Sequence, residues 1–169
     1  MATQLPVRRA STSTRAARPS YPDRWDLTHL VKGPSKEIDA ILSQLETVVA
    51  QIESARPTLT PSITGQDFQA LLRLSETFAQ GSSKLGAYAY LRFSENTKDA
   101  AARSLKARVE ERLTALSNRL LFFDLWWQSV DDTNAARLMA DAGDFRYHLE
   151  TIRRFKPHTL SEPEEKIVH

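Results

Sequence analysis

The side chains of this sequence best suited to hold a catalytic metal or to move a proton are its four histidines, His29, His148, His158 and His169. A zinc helix of the H-E-x-x-H type needs two histidines four residues apart, because that spacing places both on one helix face. No two of these histidines have that spacing, so the sequence contains no zinc helix of this type. We interpret His148 as a residue at a helix interface and His158 as a loop residue close to a helix start.

Two pairs of like charges are the next candidates for chemistry. Asp131 and Asp132 could share general acid–base work, but acidic residues just before a short apolar run are typical of a helix N-terminus. Arg153 and Arg154 could bind an anion, although a solvated helix face explains them more simply. Helical spacing indicates side-chain packing for a further group: Tyr88, Tyr90 and Arg92. We therefore assign no catalytic, cofactor-binding or metal-binding residue to this chain.

Composition excludes several classes of protein. The 169 residues, of which 41% are hydrophobic, are enough for one domain with a core. Because the chain has no cysteine, it can form neither a disulfide framework nor a thiolate metal site, and this fits the reducing cytoplasm. No run of about 18 or more apolar residues occurs, so we expect no membrane-spanning segment.

The formal net charge of +2 comes from the first 22 residues, which hold four arginines and no acidic residue. All 21 acidic residues lie further along the chain, so the remainder is slightly acidic and we expect no nucleic-acid partner. Arginine, serine and threonine without acids are found both in disordered termini and in organelle transit peptides. We favour a disordered tail and a cytoplasmic protein, and a transit peptide is the alternative.

Hydrophobic periodicity predicts an all-α fold, an antiparallel array of long helices. The first helix is expected to begin at the N-cap residue Ser35 and to end before Pro57. One continuous apolar stripe defines it: Ile38, Ile41, Leu42, Leu45, Val48, Val49 and Ile52. Before this helix, Trp25, Leu27 and Leu30 are expected to dock on the helical body.

The second helix is expected to start at Thr64 with Asp67 and to reach about Phe93. Its predicted inner face consists of Phe68, Leu71, Leu72, Ser75 and Phe78. Gly81 and Gly86 each weaken a helix interior by roughly 1 kcal/mol relative to alanine, so a break at Q-G-S-S is the alternative. Three small residues should let a neighbouring helix approach closely: Gly86, Ala87 and Ala89.

The third helix is expected to have Thr97 as its N-cap and to run from about Lys98 to about Ser129. Its predicted apolar face consists of Ala101, Leu105, Val109, Leu113 and Leu116. The later segment Leu120–Trp127, L-L-F-F-D-L-W-W, is apolar on nearly every side. A helix of this kind is normally buried all round, which a small bundle cannot readily achieve. We therefore expect one of its two tryptophans to be accessible, or the chain to self-associate through Leu120–Trp127.

Shorter helices are expected in the last third of the chain. One begins at Asp131, and another begins at Asp144 and ends at Pro157. The inward residues of the latter are expected to be Phe145, Leu149 and Ile152. Ser161 and Glu164 have the spacing of a capping box, which predicts that a further helix starts there. We divide the chain into a tail (1–22), a helical domain (23–160) and the start of a further helix (161–169).

Three stretches of the sequence resemble the amino-terminal region of the oligoendopeptidase F family of zinc metallopeptidases. They are A-Y-A-Y-L-R-F-S-E-N-T-K-D, F-F-D-L-W-W-Q-S-V-D-D and F-R-Y-H-L-E-T-I-R-R-F-K-P-H-T-L-S-E-P-E-E-K-I-V, and W-D-L-T-H-L near the start is similar as well. The last stretch is the most specific, since an arginine-rich helix, a turn and a new helix occur together. The resemblance covers about residues 24–169, and the basic tail departs from it.

This resemblance implies a mostly helical protein split by a deep channel, in which a zinc-bound water cleaves short peptides. The zinc ligands and the general base of the family lie on a helix that would follow residue 169, so none is carried over to this chain. The resemblance implies that the chain walls one side of the channel and is an inactive fragment of a longer enzyme. The alternative is a non-enzymatic helical interaction module that uses its exposed apolar surface.

Overall fold

Six α-helices and no β-strand occur in residues 24–33 and 36–168, which are the residues that the structure, a computed structural model, describes. The all-α class is therefore confirmed. The helices are α1 (Lys36–Ser54), α2 (Gly65–Glu95), α3 (Ala100–Ser129), α4 (Asp132–Ala140), α5 (Arg146–Arg154) and α6 (Glu162–Val168). None of these helices is long and apolar enough to cross a membrane. The tail (1–22), the N-cap predicted at Ser35 and His169 lie outside the described residues.

The three long helices pack against one another as the central bundle. The early part of α2 meets the late part of α3, where the ring centroids of Phe68 and Trp127 are 5.1 Å apart. The apolar stripe of α1 is buried as predicted, apart from the half-buried Ile41. Leu45 of α1 lies against Gly81 of α2, and α2 runs antiparallel to both of its neighbours.

Ion pairs on the surface show that α1 and α3 run in the same direction. From one end to the other, these pairs are Asp39–Arg108 at 3.7 Å, Glu46–Arg112 at 2.9 Å and Glu53–Arg119 at 2.5 Å. The hydrogen bonds from Arg119 hold the pKa of Glu53 below its ordinary value. Because the partners are solvent-exposed, each pair adds little to stability, on the order of 0–1 kcal/mol.

Helix α2 is continuous through both of its glycines, so its predicted continuation is confirmed and the alternative, a break at Q-G-S-S, does not occur. A Cβ atom at Gly81 would lie 2.7 Å from Cδ2 of Leu45, whereas one at Gly86 would lie 3.8 Å from Cδ1 of Leu113. The close approach of helices predicted at Gly86, Ala87 and Ala89 is confirmed in part: Ala89 is buried and Gly86 faces Leu113, whereas Ala87 is exposed and the tighter contact is at Gly81. The periodic pattern does not reveal it, because the contact depends on where Leu45 packs.

The two glycines of α2 are expected to respond differently to alanine. Gly86→Ala should raise the free energy of unfolding by about 0.5–1 kcal/mol, because alanine loses less conformational entropy than glycine when the helix forms. Gly81→Ala should not gain this stability, since its methyl group would press on the buried Leu45 at a cost of about 1–3 kcal/mol. Urea denaturation of the two variants measures the difference, and equal stabilisation by both would contradict it.

The start of α3 differs from the prediction by two residues. Asp99, not Thr97, is its N-cap: the Asp99 carboxylate accepts hydrogen bonds from the backbone N–H groups of Ala101 (2.8 Å) and Ala102 (3.2 Å). The side chain of Asn96 accepts from the N–H of Lys98 at 3.1 Å and holds the preceding residues in a turn. The positive end of the helix dipole, at the helix N-terminus, also favours the negative charge of a carboxylate at this position. As a result, Ala102 is buried in place of Ala101.

The apolar segment Leu120–Trp127 is far better covered than predicted. Leu121, Phe122, Phe123 and Trp127 are buried, while Leu120, Leu125 and Trp126 are half-buried. The expectation is therefore met only in part: α5 and α6 return to pack on the end of α3 and cover most of the segment, whereas Trp126 stays partly accessible. Self-association through the segment stays a prediction.

Two aromatic residues are more exposed than predicted. Trp25 is 54% exposed, while Val31, just after the docking leucines Leu27 and Leu30, is buried instead. The N–H groups of Leu30 and Val31 both bond to the carbonyl of Leu27, and this tight turn directs Val31 inward. Tyr90 is 58% exposed although Tyr88 is buried, because residues two apart in a helix lie on nearly opposite faces.

The short helices begin close to their predicted positions. Asp131 is the N-cap of α4, and its carboxylate accepts from the backbone N–H of Asn134 at 3.0 Å, so its predicted capping role is confirmed. A 3₁₀ turn, Gly143–Phe145, precedes α5, which starts at Arg146, two residues after the predicted start at Asp144. Leu149 is buried as predicted, and Phe145 and Ile152 pack on the core as half-buried residues.

Candidate functional site

The residues that the structure describes do not fit a zinc site. No group of three or more His, Asp or Glu side chains that could hold a metal ion occurs within 24–33 and 36–168. A catalytic zinc normally needs three convergent protein ligands. His29 lies in an exposed turn, His148 is exposed on α5, and His158 ends the 3₁₀ turn Lys156–His158. No catalytic step through zinc can be derived from these side chains.

The end of α3 is the best organised part of the molecule, and Trp127 lies at its centre. This side chain is 1% exposed, and its indole N–H donates to the carbonyl oxygen of Leu149 in α5 at 3.0 Å. Its ring stacks on Phe68, whose ring also contacts Trp126 and Phe123. One aromatic cluster therefore joins α2, α3 and α5.

Arg153 completes this junction from α5. Its Nη1 donates to the carbonyl oxygens of Trp127 (3.0 Å) and Val130 (2.8 Å), and its Nη2 donates to Asp132 (2.6 Å). The last carbonyl groups of a helix have no intrahelical partner, so the guanidinium satisfies the end of α3. The interpretation of Arg153 as part of a solvated face was wrong, since its side chain is only 12% exposed, whereas Arg154 is exposed.

Sequence reasoning could have found the role of Arg153 from one signal. Arg153 lies four residues after Leu149, which places it on the buried face of α5. Two adjacent arginines on a helix face different directions, so only one of them can be on the solvated side. What the sequence does not show is that the end of α3 lies opposite this face.

The start of α6 shows the half of the predicted capping box in which Glu164 reaches back to Ser161. The backbone N–H of Ser161 donates to Oε2 of Glu164 at 2.9 Å, and the serine hydroxyl donates to the same oxygen at 2.6 Å. These bonds, with the hydroxyl as the largest cause, lower the pKa of Glu164 below its ordinary value. The N–H of Leu160 donates to Glu165 at 2.9 Å, so two carboxylates hold this helix start.

An open cleft of about 580 Å³ lies between α3, the 3₁₀ turn Arg56–Thr58 and the start of α6. We call it the α3–α6 cleft. Its apolar lining consists of Leu59, Phe122, Leu125, Trp126 and Leu160. Charged side chains at its edge are Arg56, Lys156 and Glu162. The lining therefore combines aromatic surface with charges of both signs, which suits contact with a peptide chain.

The charged edge of the α3–α6 cleft is held by one carboxylate. Glu162 accepts from Arg56 at 2.8 Å and from Lys166 at 2.8 Å, and the hydrogen bond from Lys166 is the largest cause of its lowered pKa. The guanidinium of Arg56 also lies 4.6 Å from the ring centroid of Phe122. Arg56 is thereby fixed between an aromatic ring and a carboxylate.

Large exposed hydrophobic residues are concentrated in α5, α6 and the segment between them. Of the six found among the described residues, four lie in the last quarter of the chain: Tyr147 (72%), Phe155 (60%), Leu160 (50%) and Ile167 (85%). Side chains of this kind grouped on one part of a surface mark an interaction site more often than scattered ones do. The α5–α6 region is therefore the candidate interaction surface of the chain.

Comparison with known proteins gives one match, in the same region. The model of the family described as Oligopeptidase F matches residues 126–169, about a quarter of the chain. No curated protein and no solved structure matches the chain. The matched segment runs from Trp126 in α3 through α4, α5 and α6, and it holds both the Arg153 contacts and the capping box. The resemblance to the amino-terminal region of oligopeptidase F is thus confirmed over residues 126–169.

Proposed function

We propose that this chain forms part of the helical wall of the substrate channel in a zinc-dependent oligopeptidase that hydrolyses short peptides. The catalytic zinc would be held by residues outside the chain. The proposal rests on one observation: the family match and most of the large exposed hydrophobic residues lie in the same segment. The family match covers residues 126–169, and four of the six large exposed hydrophobic residues lie in that same segment.

The contribution of this chain would be to hold and shape the wall, not to carry out chemistry. The aromatic cluster around Trp127 and the contacts of Arg153 fix the relative positions of α2, α3 and α5. On this rigid base, the α3–α6 cleft offers Phe122 and Trp126 to apolar peptide side chains. Lys156 at its edge can attract the negatively charged carboxyl terminus of a peptide, whereas Glu162 is already paired with Arg56 and Lys166.

A direct experiment tests the assignment of activity. The purified chain is expected to retain no stoichiometric zinc after dialysis and to leave short quenched-fluorescence peptides intact, because its described residues hold no set of zinc ligands. Metal analysis and a peptide-cleavage assay measure this. Zinc at one per chain together with cleavage that a chelator abolishes would contradict it.

The genomic context provides the second arm of this test. Reading the gene in frame beyond the codon for His169 is expected to find an H-E-x-x-H motif, and the longer product is expected to bind zinc and cleave short peptides. A gene that contains no such motif would defeat the peptidase proposal. It would favour the second candidate, a non-enzymatic interaction module, which the exposure of Phe155, Leu160 and Ile167 also supports.

A further inference from the structure

A second cleft lies on another side of the aromatic cluster, between α2, α3 and α5. We call it the α2–α5 cleft; its volume is about 260 Å³. Its floor consists of apolar side chains that are buried or half-buried in the core: Leu72, Phe123, Trp127, Phe145, Leu149 and Ile152. Each of the three helices contributes residues spaced by three or four, so one face of each lines the cleft. It is therefore a concave apolar site with rigid walls.

The polar groups of the α2–α5 cleft give it an acidic character. Glu76, Asp124 and His148 are exposed residues of the lining, and no lysine or arginine is found among the described residues that line it. Asp124 already interacts within the protein, whereas Glu76 makes no hydrogen bond or ion pair with the described part of the chain. Glu76 can therefore accept a cationic partner without losing a contact that it already has.

We infer that the α2–α5 cleft binds a small primary amine that carries one aromatic or branched aliphatic group. The apolar group would contact the aromatic floor around Phe123 and Trp127, and the ammonium would pair with Glu76 at the opening. Aromatic rings also favour a neighbouring cation. This inference is independent of the peptidase proposal, because the α2–α5 cleft is separate from the α3–α6 cleft.

The size and lining of the cleft favour a small amine over a longer molecule. Its volume lies just below the range of about 300–1,000 Å³ that is typical of sites for drug-sized ligands. Besides its two carboxylates, the polar side chains of the described lining are Ser75 and His148. The cleft therefore offers few hydrogen-bond partners to the amide groups of a bound peptide, and burying amide groups without such partners is unfavourable.

Titration with 2-phenylethylammonium tests the inference, with the neutral 2-phenylethanol as the charge control and Phe-Gly-Gly as the peptide control. NMR signals of the three indole N–H groups report the position of binding, after assignment with Trp25→Phe and Trp126→Phe variants. The signal of Trp127, which lines the cleft, is expected to shift, and that of the distant Trp25 is not. The ammonium is expected to bind more tightly than either control compound.

Two variants with matched controls separate charge from shape. Glu76→Gln should weaken binding of the ammonium about two- to fivefold and leave the alcohol unchanged, whereas Glu111→Gln, on an exposed part of α3, should change neither. Ala79→Trp should fill the opening and abolish binding, whereas Ala70→Trp, at an exposed position of α2 outside the cleft, should not.

Three results would overturn the inference. The first is equal binding of the ammonium and the alcohol, and the second is a Trp127 signal that does not move. The third is tighter binding of Phe-Gly-Gly, which would assign the cleft to the amino terminus of a peptide. None of these outcomes depends on peptidase activity, so they are distinguishable from a failure of the proposed function.

Discussion

Replacing Trp127 by alanine is expected to lower the free energy of unfolding by about 3–5 kcal/mol, the range for removing a large aromatic side chain from a core. Trp127 is 1% exposed, and its ring stacks on Phe68. The variant would also leave the carbonyl of Leu149 without its side-chain donor. A loss of this size is a large share of the roughly 5–15 kcal/mol that stabilises a typical domain. Thermal and urea denaturation measure it.

The neighbouring tryptophan is the matched control for this experiment. Trp126 is half-buried and its indole N–H makes no hydrogen bond within the described part of the chain, so Trp126→Ala is expected to cost clearly less than Trp127→Ala. Trp127→Phe keeps one aromatic ring but removes the N–H donor together with part of the indole, so we expect a loss of at least about 1–3 kcal/mol, below that of Trp127→Ala. Similar losses for Trp126→Ala and Trp127→Ala would show that the junction does not centre on Trp127.

Replacing Arg153 by alanine is expected to give the second large effect, a loss of about 1.5–3 kcal/mol for hydrogen bonds from a charged donor. Its guanidinium bonds to the carbonyl oxygens of Trp127 and Val130, which would then lack these donors at the end of α3. The contact with Asp132 adds little, because that carboxylate is 97% exposed. Hydrogen exchange should show faster opening of the last turn of α3.

Arg154 provides the control for Arg153. It is exposed, so Arg154→Ala should change the free energy of unfolding by no more than about 0.5 kcal/mol. Arg153→Lys should recover only part of the loss, because an ammonium cannot reproduce the planar fork that reaches several acceptors at once. If Arg153→Ala and Arg154→Ala have equal effects, the proposed satisfaction of the α3 carbonyls is wrong.

Local signals in the sequence predicted most of the helices. The structure contains the apolar stripe of α1, the N-caps at Thr64 and Asp131 and the contact between Ser161 and Glu164 at the start of α6. Each of these depends on residues within one or two turns of one another, so the physical cause lies within the segment itself. The match to oligopeptidase F likewise depends on a continuous stretch of sequence, residues 126–169.

Competition between nearby signals explains the smaller errors. Thr97 and Asp99 can both cap a helix, and the turn made by Asn96 decides in favour of Asp99. The rule that caps are Ser, Thr, Asp or Asn cannot choose between two candidates in one short loop. The identity of the buried alanine in the first turn of α3 follows from that choice.

The sequence by itself determined that this protein is all-helical, where its helices lie and which face of each long helix is apolar. Only the tertiary structure decided how the segment Leu120–Trp127 is covered, that Arg153 meets the end of α3, and that two clefts form beside Trp126 and Trp127. The physical reason is distance along the chain. Periodicity shows that a face must be buried, but it does not show which distant residues will bury it. Here the residues that bury the end of α3 belong to α5 and α6, which pack back onto it.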